Sequence, residues 1–236
     1  MPSPHHPAQN HLLAALPAKD YERLLPHLEL SPLPLGWTVY DPGCKQGNVY
    51  FPTNAIVSLL YVTKGGASAE VATVGNDGLI GIAGLIGGDT TPSHAIVQCA
   101  GFGYRLKTSH LKAEFERGGE VQHLLLRYTQ ALITQTGQTA ACNRHHSIDQ
   151  RLCRSLLSSM DRLPSNELKM TQERIAHMLG VRREGITDAA RKLQKAGLIN
   201  YSRGRITVLD RQGLKERVCE CYAVVKKEMN RLLPLH

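Results

Sequence analysis

No apolar run in this 236-residue chain approaches the roughly 20 residues that a bilayer-spanning helix needs. The opening stretch, "MPSPHHPAQNHLLAALP", has prolines and histidines where a secretory signal would carry a basic end and a long apolar core. A cytoplasmic protein with no membrane partner is expected. None of the six cysteines (Cys44, Cys99, Cys142, Cys153, Cys219, Cys221) forms a CxxC pair, which argues against a zinc ribbon or a dense disulfide framework. Cys219 and Cys221, two apart on one helix, would point to nearly opposite sides, so the cysteines are read as reduced packing residues and no metal site is expected. The sequence also lacks a P-loop, a G-x-S-x-G elbow, a His-Glu-x-x-His pair and the clustered acids that hydrolases use, so no enzyme is expected.

What is present is unevenly charged. The net charge is +8, and residues 165–236 hold 15 Lys and Arg against 8 acids, whereas residues 1–164 hold 13 against 12. A basic excess confined to the last third suggests a polyanionic partner, nucleic acid first and an anionic membrane surface second.

Residues 8–30 carry apolar residues at helical spacing, interrupted by Pro17 and Pro26, and predict one or two short helices. From Trp37 to Leu106 the pattern becomes short runs, "WTVY", "NVYF", "AIVSLLYV", "AEVATV", "HAIVQC" and "GYRL", separated by turn signals such as Asp41-Pro42-Gly43 and Asn76-Asp77-Gly78. Such strands predict a barrel or sandwich. From His110 to Arg162 there are no prolines and few glycines, so helices are expected. Within them Val121, Leu125, Tyr128 and Leu132 step by four, three and four, a seam that would serve either a dimer contact or packing on the barrel. The expected organisation is α+β, with a helical segment at 1–30, a barrel at 31–110, central helices at 111–163 and a basic domain at 164–236.

The basic domain carries the clearest motif, "MTQERIAHMLGVRREGITDAARKLQKAGLI". Thr171 is suited to cap a short helix from Gln172 to Leu179, Gly180 permits a turn, and a second helix is predicted from Arg182 or Arg183 to about Ala196. The spacing of Ala176, Gly180 and Ile186 is that of a helix-turn-helix, and the outward positions of the second helix are Arg182, Arg183, Glu184 and Thr187. An Arg there can bond both O6 and N7 of a guanine, and a Glu can accept from a cytosine N4. "LINYSRGRITVL" then reads as a two-stranded wing with Arg203 and Arg205 at its tip, suited to phosphate contact. Thr171, Gln172, Arg182 and Arg191 complete the expected backbone contacts on double-stranded DNA. The final segment, with Leu214, Val218, Tyr222, Val225, Met229 and Leu232 on one stripe, is expected to be one amphipathic helix.

In this order, a short-stranded barrel, a long helix and a basic winged helix-turn-helix, the chain resembles the Crp/Fnr superfamily of bacterial transcription regulators. The resemblance implies a jelly-roll barrel of the cyclic-nucleotide-binding kind, a homodimer joined through the central helix, a two-fold symmetric operator and contact with RNA polymerase. It also implies base reading by an Arg-Glu pair and by an Arg four positions after the Glu. Arg183 and Glu184 match the pair, but the later place holds Asp188, which cannot bond guanine and is suited instead to a cytosine or to pairing with Arg191 or Lys192.

Family barrels often bind cyclic AMP through a Glu for the ribose and an Arg for the phosphate. In "GLIGIAGLIGGDTTPSHAIV" the glycines, Gly81 among them, are kept, but Ile82 and Ser93 stand at those two places, with His94 a weak substitute. A phosphate would lack its counter-ion, so cyclic AMP is not the expected ligand. No cysteine precedes Cys44, which excludes the N-terminal iron-sulfur cluster of other branches, and haem stays open because a single His or Cys ligand needs no motif. The competing reading is an effector- or gas-sensing module whose basic domain contacts protein or membrane.

Overall fold

In the computed structural model, which describes residues 5–233, the N-terminal apolar spacing becomes two short helices, α1 (His11–Ala14) and α2 (Ala18–Leu24). The fully buried Asn10 holds them to the barrel. Its Oδ1 accepts from the amides of Leu12 and Leu13, and its Nδ2 donates to the carbonyls of Pro52 (2.9 Å) and Gly78 (2.8 Å).

Seven strands follow: β1 (Glu29–Leu33), β2 (Thr38–Tyr40), β3 (Asn48–Pro52), β4 (Ile56–Val62), β5 (Ser68–Val74), β6 (His94–Cys99) and β7 (Gly101–Lys107). They pair antiparallel into two sheets, ordered β1-β7-β3 and β2-β6-β4-β5, and Tyr50 of β3 forms an isolated bridge with Ile80, which lies outside the strands. β1 starts within the segment expected to be helical, at Glu29 and Leu30, and runs on into the expected barrel. It is an edge strand paired with β7, the place where Pro32, with no amide to donate, is tolerated. β3 is buried on both sides, with Tyr50 in the barrel interior beside Val57 and Val97, and with Val49 and Phe51 turned to the helices. Two-sided burial explains why "NVYF" shows little polar alternation.

The helical region divides into α3 (Thr108–Arg117), α4 (Glu120–His145) and α5 (Ile148–Arg162), the last opened by a capping box between Ser147 and Gln150. Of the two uses open to the expected seam, the structure shows the second. Val121, Leu125 and Tyr128 are 2–3% exposed and pack with Leu79, Tyr104 and Leu106 of the barrel, which removes them from any partner's reach; Leu132 is half-buried. Tyr128 donates its hydroxyl to the Leu79 carbonyl at 2.7 Å. Its ring lies so close to Gly78 that an added Cβ would come within 2.7 Å of it, so only glycine fits.

The basic domain comprises β8 (Glu167–Lys169), α6 (Gln172–Leu179), α7 (Arg183–Lys195), β9 (Ile199–Ser202), β10 (Arg205–Val208), α8 (Arg211–Arg217) and α9 (Cys221–Leu232). The terminal segment is therefore two helices. The chain extends at Val218 (ψ 152°), so Cys219 precedes α9 and Cys221 opens it, and the geometry that would have turned their sulfurs apart does not apply. The domain docks on the barrel through Ser68, whose hydroxyl donates to the His177 carbonyl (3.0 Å), and on the central helices through α7 and α8 against α5 and α9 against α4, while Arg162 at the end of α5 ties the central helices to the barrel by an ion pair with Asp77 (2.8 Å). Among the described residues no helix is long and apolar enough to cross a membrane.

Candidate nucleic-acid interface

The surface that can meet nucleic acid is built from α6, the turn after it, α7 and the β9–β10 hairpin. The Thr171 hydroxyl accepts the Arg174 amide at 3.3 Å and caps α6, a contact worth about 1 kcal/mol. Ile175, Ala176, Met178 and Leu179 then turn inward. Gly180 takes a left-handed conformation (φ 61°), and the Val181 amide reaches back to the Ala176 carbonyl at 3.0 Å. A residue with a Cβ would be strained there and would also meet the Ser68 carbonyl at 3.1 Å.

α7 buries Ile186, Ala189, Ala190 and Leu193, which leaves Arg182, Arg183, Glu184, Asp188 and Arg191 exposed on the other face. Thr187 is less free. Its hydroxyl lies 2.8 Å from Gln172 Oε1 and 3.1 Å from the Arg183 carbonyl, so it ties α6 to α7 and engages Gln172 as well. Asp188 pairs with Arg191 at 3.2 Å, while Lys192 reaches Asp149 at 3.0 Å. Among the described residues, Arg182, Arg183 and Arg203 form no ion pair with a carboxylate, which leaves their charge for a ligand.

The hairpin turns through Arg203 (φ 49°) and Gly204 (φ 75°), a two-residue loop with both residues left-handed, as the strand twist requires. Ile199, Ile206 and Val208 face the domain core, and Tyr201 donates its hydroxyl to the Met170 carbonyl at 2.9 Å. Burial raises the Tyr201 pKa, and the nearby Arg183 opposes that shift. Arg205 pairs with Glu167 at 3.2 Å. A third strand, β8, was not foreseen; it sets Lys169 directly opposite Arg205 and adds a cation to the wing. Three residues with one apolar position among them gave no pattern to read. Arg183, Tyr201, Arg203, Thr171 and Gln172 line one trough between α7 and the wing, so residues predicted from separate motifs meet on one face.

The loop expected to be a degenerate ligand cassette lies elsewhere, on the barrel. Gly81 and Ile82 lead a single 3-10 turn, in which the Gly84 amide is already engaged by the Gly81 carbonyl (3.2 Å) and by Gln46 Oε1 (3.3 Å). Ser93 is buried with its hydroxyl 3.0 Å from that of Thr91, and His94 contacts Asp41 (3.2 Å) at the surface. Among the described residues, no hydrogen bond joins any two of these four.

Residues 150–217 match the family model for the Crp-like helix-turn-helix domain. No curated protein matches the chain by sequence. Among solved structures it is similar to a Crp/Fnr-family protein from Eubacterium rectale, with 18% identity, a TM-score of 0.67, and coverage of 87% of this chain and 96% of that one. It is similar to FixK2 from Bradyrhizobium japonicum with 16% identity, a TM-score of 0.67, and coverage of 81% and 98%. It is similar to the c-di-GMP-responsive global regulator CLP of Xanthomonas campestris with 18% identity, a TM-score of 0.65, and coverage of 82% and 100%.

Proposed function

We propose that the chain is a transcription regulator of the Crp/Fnr kind, working as a homodimer that reads a two-fold symmetric operator; a Crp-like helix-turn-helix domain at 150–217 and a fold similar to Crp/Fnr structures support this reading. The observation that carries this reading is the trough at the start of α7, where Arg183 stands exposed beside Arg203 with no carboxylate partner. Arg183 and Glu184 supply the base contacts and Asp188 is held by Arg191, so an operator guanine at that place is not expected. Arg182, Arg203 and Arg205 serve the phosphates.

The dimer is joined through the outer face of α4. There Leu126 (48% exposed) and Ile133 (61%) stand among Gln130, Gly137, Ala140 and Arg144, spaced alternately by four and three residues, a heptad seam opposite the barrel-facing one. Cyclic AMP is not its effector, because Ile82 and Ser93 leave a phosphate without a partner and the Gly84 amide is engaged by Gln46.

Equilibrium binding to an operator duplex, measured across salt concentrations, tests this. Arg183→Ala and Glu184→Ala are each expected to lose about 1–3 kcal/mol of discrimination between the operator and altered sequences. Arg203→Ala is expected to weaken every duplex alike and to lower the salt slope by about 1. Wild-type discrimination in both α7 variants would overturn the assignment.

A further inference from the structure

Away from the DNA-facing surface, the end of α4 meets the start of α9 at a cluster of three sulfurs and an imidazole. Cys142 and His146 come from one turn of α4 and the residue after it; Cys219 lies in the extended step between α8 and α9, and Cys221 opens α9. Cys142 Sγ lies 3.6 Å from Cys219 Sγ, Cys221 Sγ lies 3.4 Å from His146 Nδ1, and all four ligand atoms fall within 4.8 Å of one another. A tetrahedron with metal–sulfur bonds of about 2.3 Å and a metal–nitrogen bond of about 2.1 Å has edges of about 3.8 Å between sulfurs and about 3.6 Å between sulfur and nitrogen. The two short separations match those edges, and the remainder close within about 1 Å.

Three buried thiols alone would be unremarkable packing, and burial does hold the Cys142 thiol protonated, at a pKa of about 12. The surroundings do not suit a purely apolar plug. The Nε2 edge of His146 faces Glu220 Oε1 at 3.3 Å and Nδ1 faces Cys221 Sγ, the carboxylate–histidine arrangement that orients metal ligands. Gln138 Nε2 donates to Cys221 Sγ at 3.1 Å, as outer-shell amides do to thiolates. Arg151 is buried and Arg154 half-buried close to Cys142, each with an unpartnered Nε, and among the described residues neither forms an ion pair with a carboxylate. A centre of net negative charge would give these guanidiniums their counter-charge.

We propose that Cys142, His146, Cys219 and Cys221 form a closed tetrahedral site for a thiophilic divalent cation, zinc by its ligand set, held by three thiolates and His146 Nδ1. Hard cations are excluded by the absence of oxygen ligands. Binding releases the thiol protons and staples the tail of the DNA-reading domain to the helix that carries the dimer seam. The site does not depend on which operator the domain reads.

Cobalt(II) titration of the reduced, chelator-treated full chain tests the proposal. One equivalent is expected to bind with the ligand-field and sulfur charge-transfer bands of a tetrahedral three-thiolate site, and zinc is expected to displace it. Cys219→Ser should abolish those bands and Cys44→Ser should leave them unchanged. Glu220→Gln lies at the surface, so its folding is safe, and it should weaken the metal about 10- to 100-fold. The proposal falls if the wild type gives no thiolate–cobalt bands, or if affinity is unmoved in both Cys219→Ser and Glu220→Gln. It falls equally if the chain is isolated with a Cys142–Cys219 disulfide and takes up no metal after reduction.

Discussion

Glu70 sits inside the molecule on β5, and burial raises its pKa to about 7 against the opposing pull of Ser58, Arg154 and Arg162. Ser58 Oγ lies 2.5 Å from Glu70 Oε2 and 2.9 Å from Gln98 Oε1. One hydroxyl hydrogen cannot serve two acceptors, so a protonated Glu70 completes the chain, which continues from Gln98 Nε2 to Met170 Sδ of the helix-turn-helix domain. The sign of the pH effect follows from the raised pKa. Below about pH 4.5 both folded and unfolded forms are protonated and Glu70 contributes nothing; from there to about pH 7 the unfolded chain ionises first and stability falls; above that the cost is full, about 3 kcal/mol. Glu70→Gln is therefore expected to stabilise the protein by about that amount at pH 8 and not at pH 4, as read by denaturant unfolding. A carboxylate at an inward strand position gives no local hint of this. Its burial follows from α4 and α5 closing over β5, which lies beyond periodicity. The exposure of Arg183 and Glu184, by contrast, was legible because a helix-turn-helix fixes which face of its second helix looks outward.

At the scale of the element, α4 carries two seams on opposite faces. Val121, Leu125 and Tyr128 bind the barrel, while Leu126 and Ile133 look to solvent. Both sets repeat with nearly the same period, and the sequence pattern highlights the more apolar one, which is why the barrel-facing face was the visible one. Leu125→Ala should cost about 2–5 kcal/mol of chain stability while leaving the dimer constant of the folded protein unchanged. Ile133→Asp should do the reverse: symmetry sets two carboxylates against each other in the seam, and sedimentation equilibrium should show dimer dissociation rising about 100-fold or more. The broken tail helix was hidden for a different reason. Val218 to Glu220 contains neither proline nor glycine, and the apolar stripe runs on in register through Leu214, Val218 and Tyr222. The break accompanies the packing of α8 on α5 and of α9 on α4.

Across the whole molecule, the barrel, central helices and helix-turn-helix domain form one docked unit, held by the Arg162–Asp77 pair between α5 and the barrel and by the Ser68–His177 bond. The order of the parts was readable because each has its own period, two in the barrel and 3.6 beyond it. What joins them was not, since Asp77 with Arg162 and Cys142 with Cys219 are contacts across long stretches of chain. The central claim is that this arrangement places two α7 helices on successive faces of one duplex. Selection of bound sequences from random duplex DNA, with and without cyclic AMP, tests it most directly. The account predicts an inverted repeat with half-sites one helical turn apart, about 10 base pairs centre to centre or a multiple of it, enriched equally in both arms. A single asymmetric site, no enrichment at all, or enrichment only with cyclic AMP would contradict it.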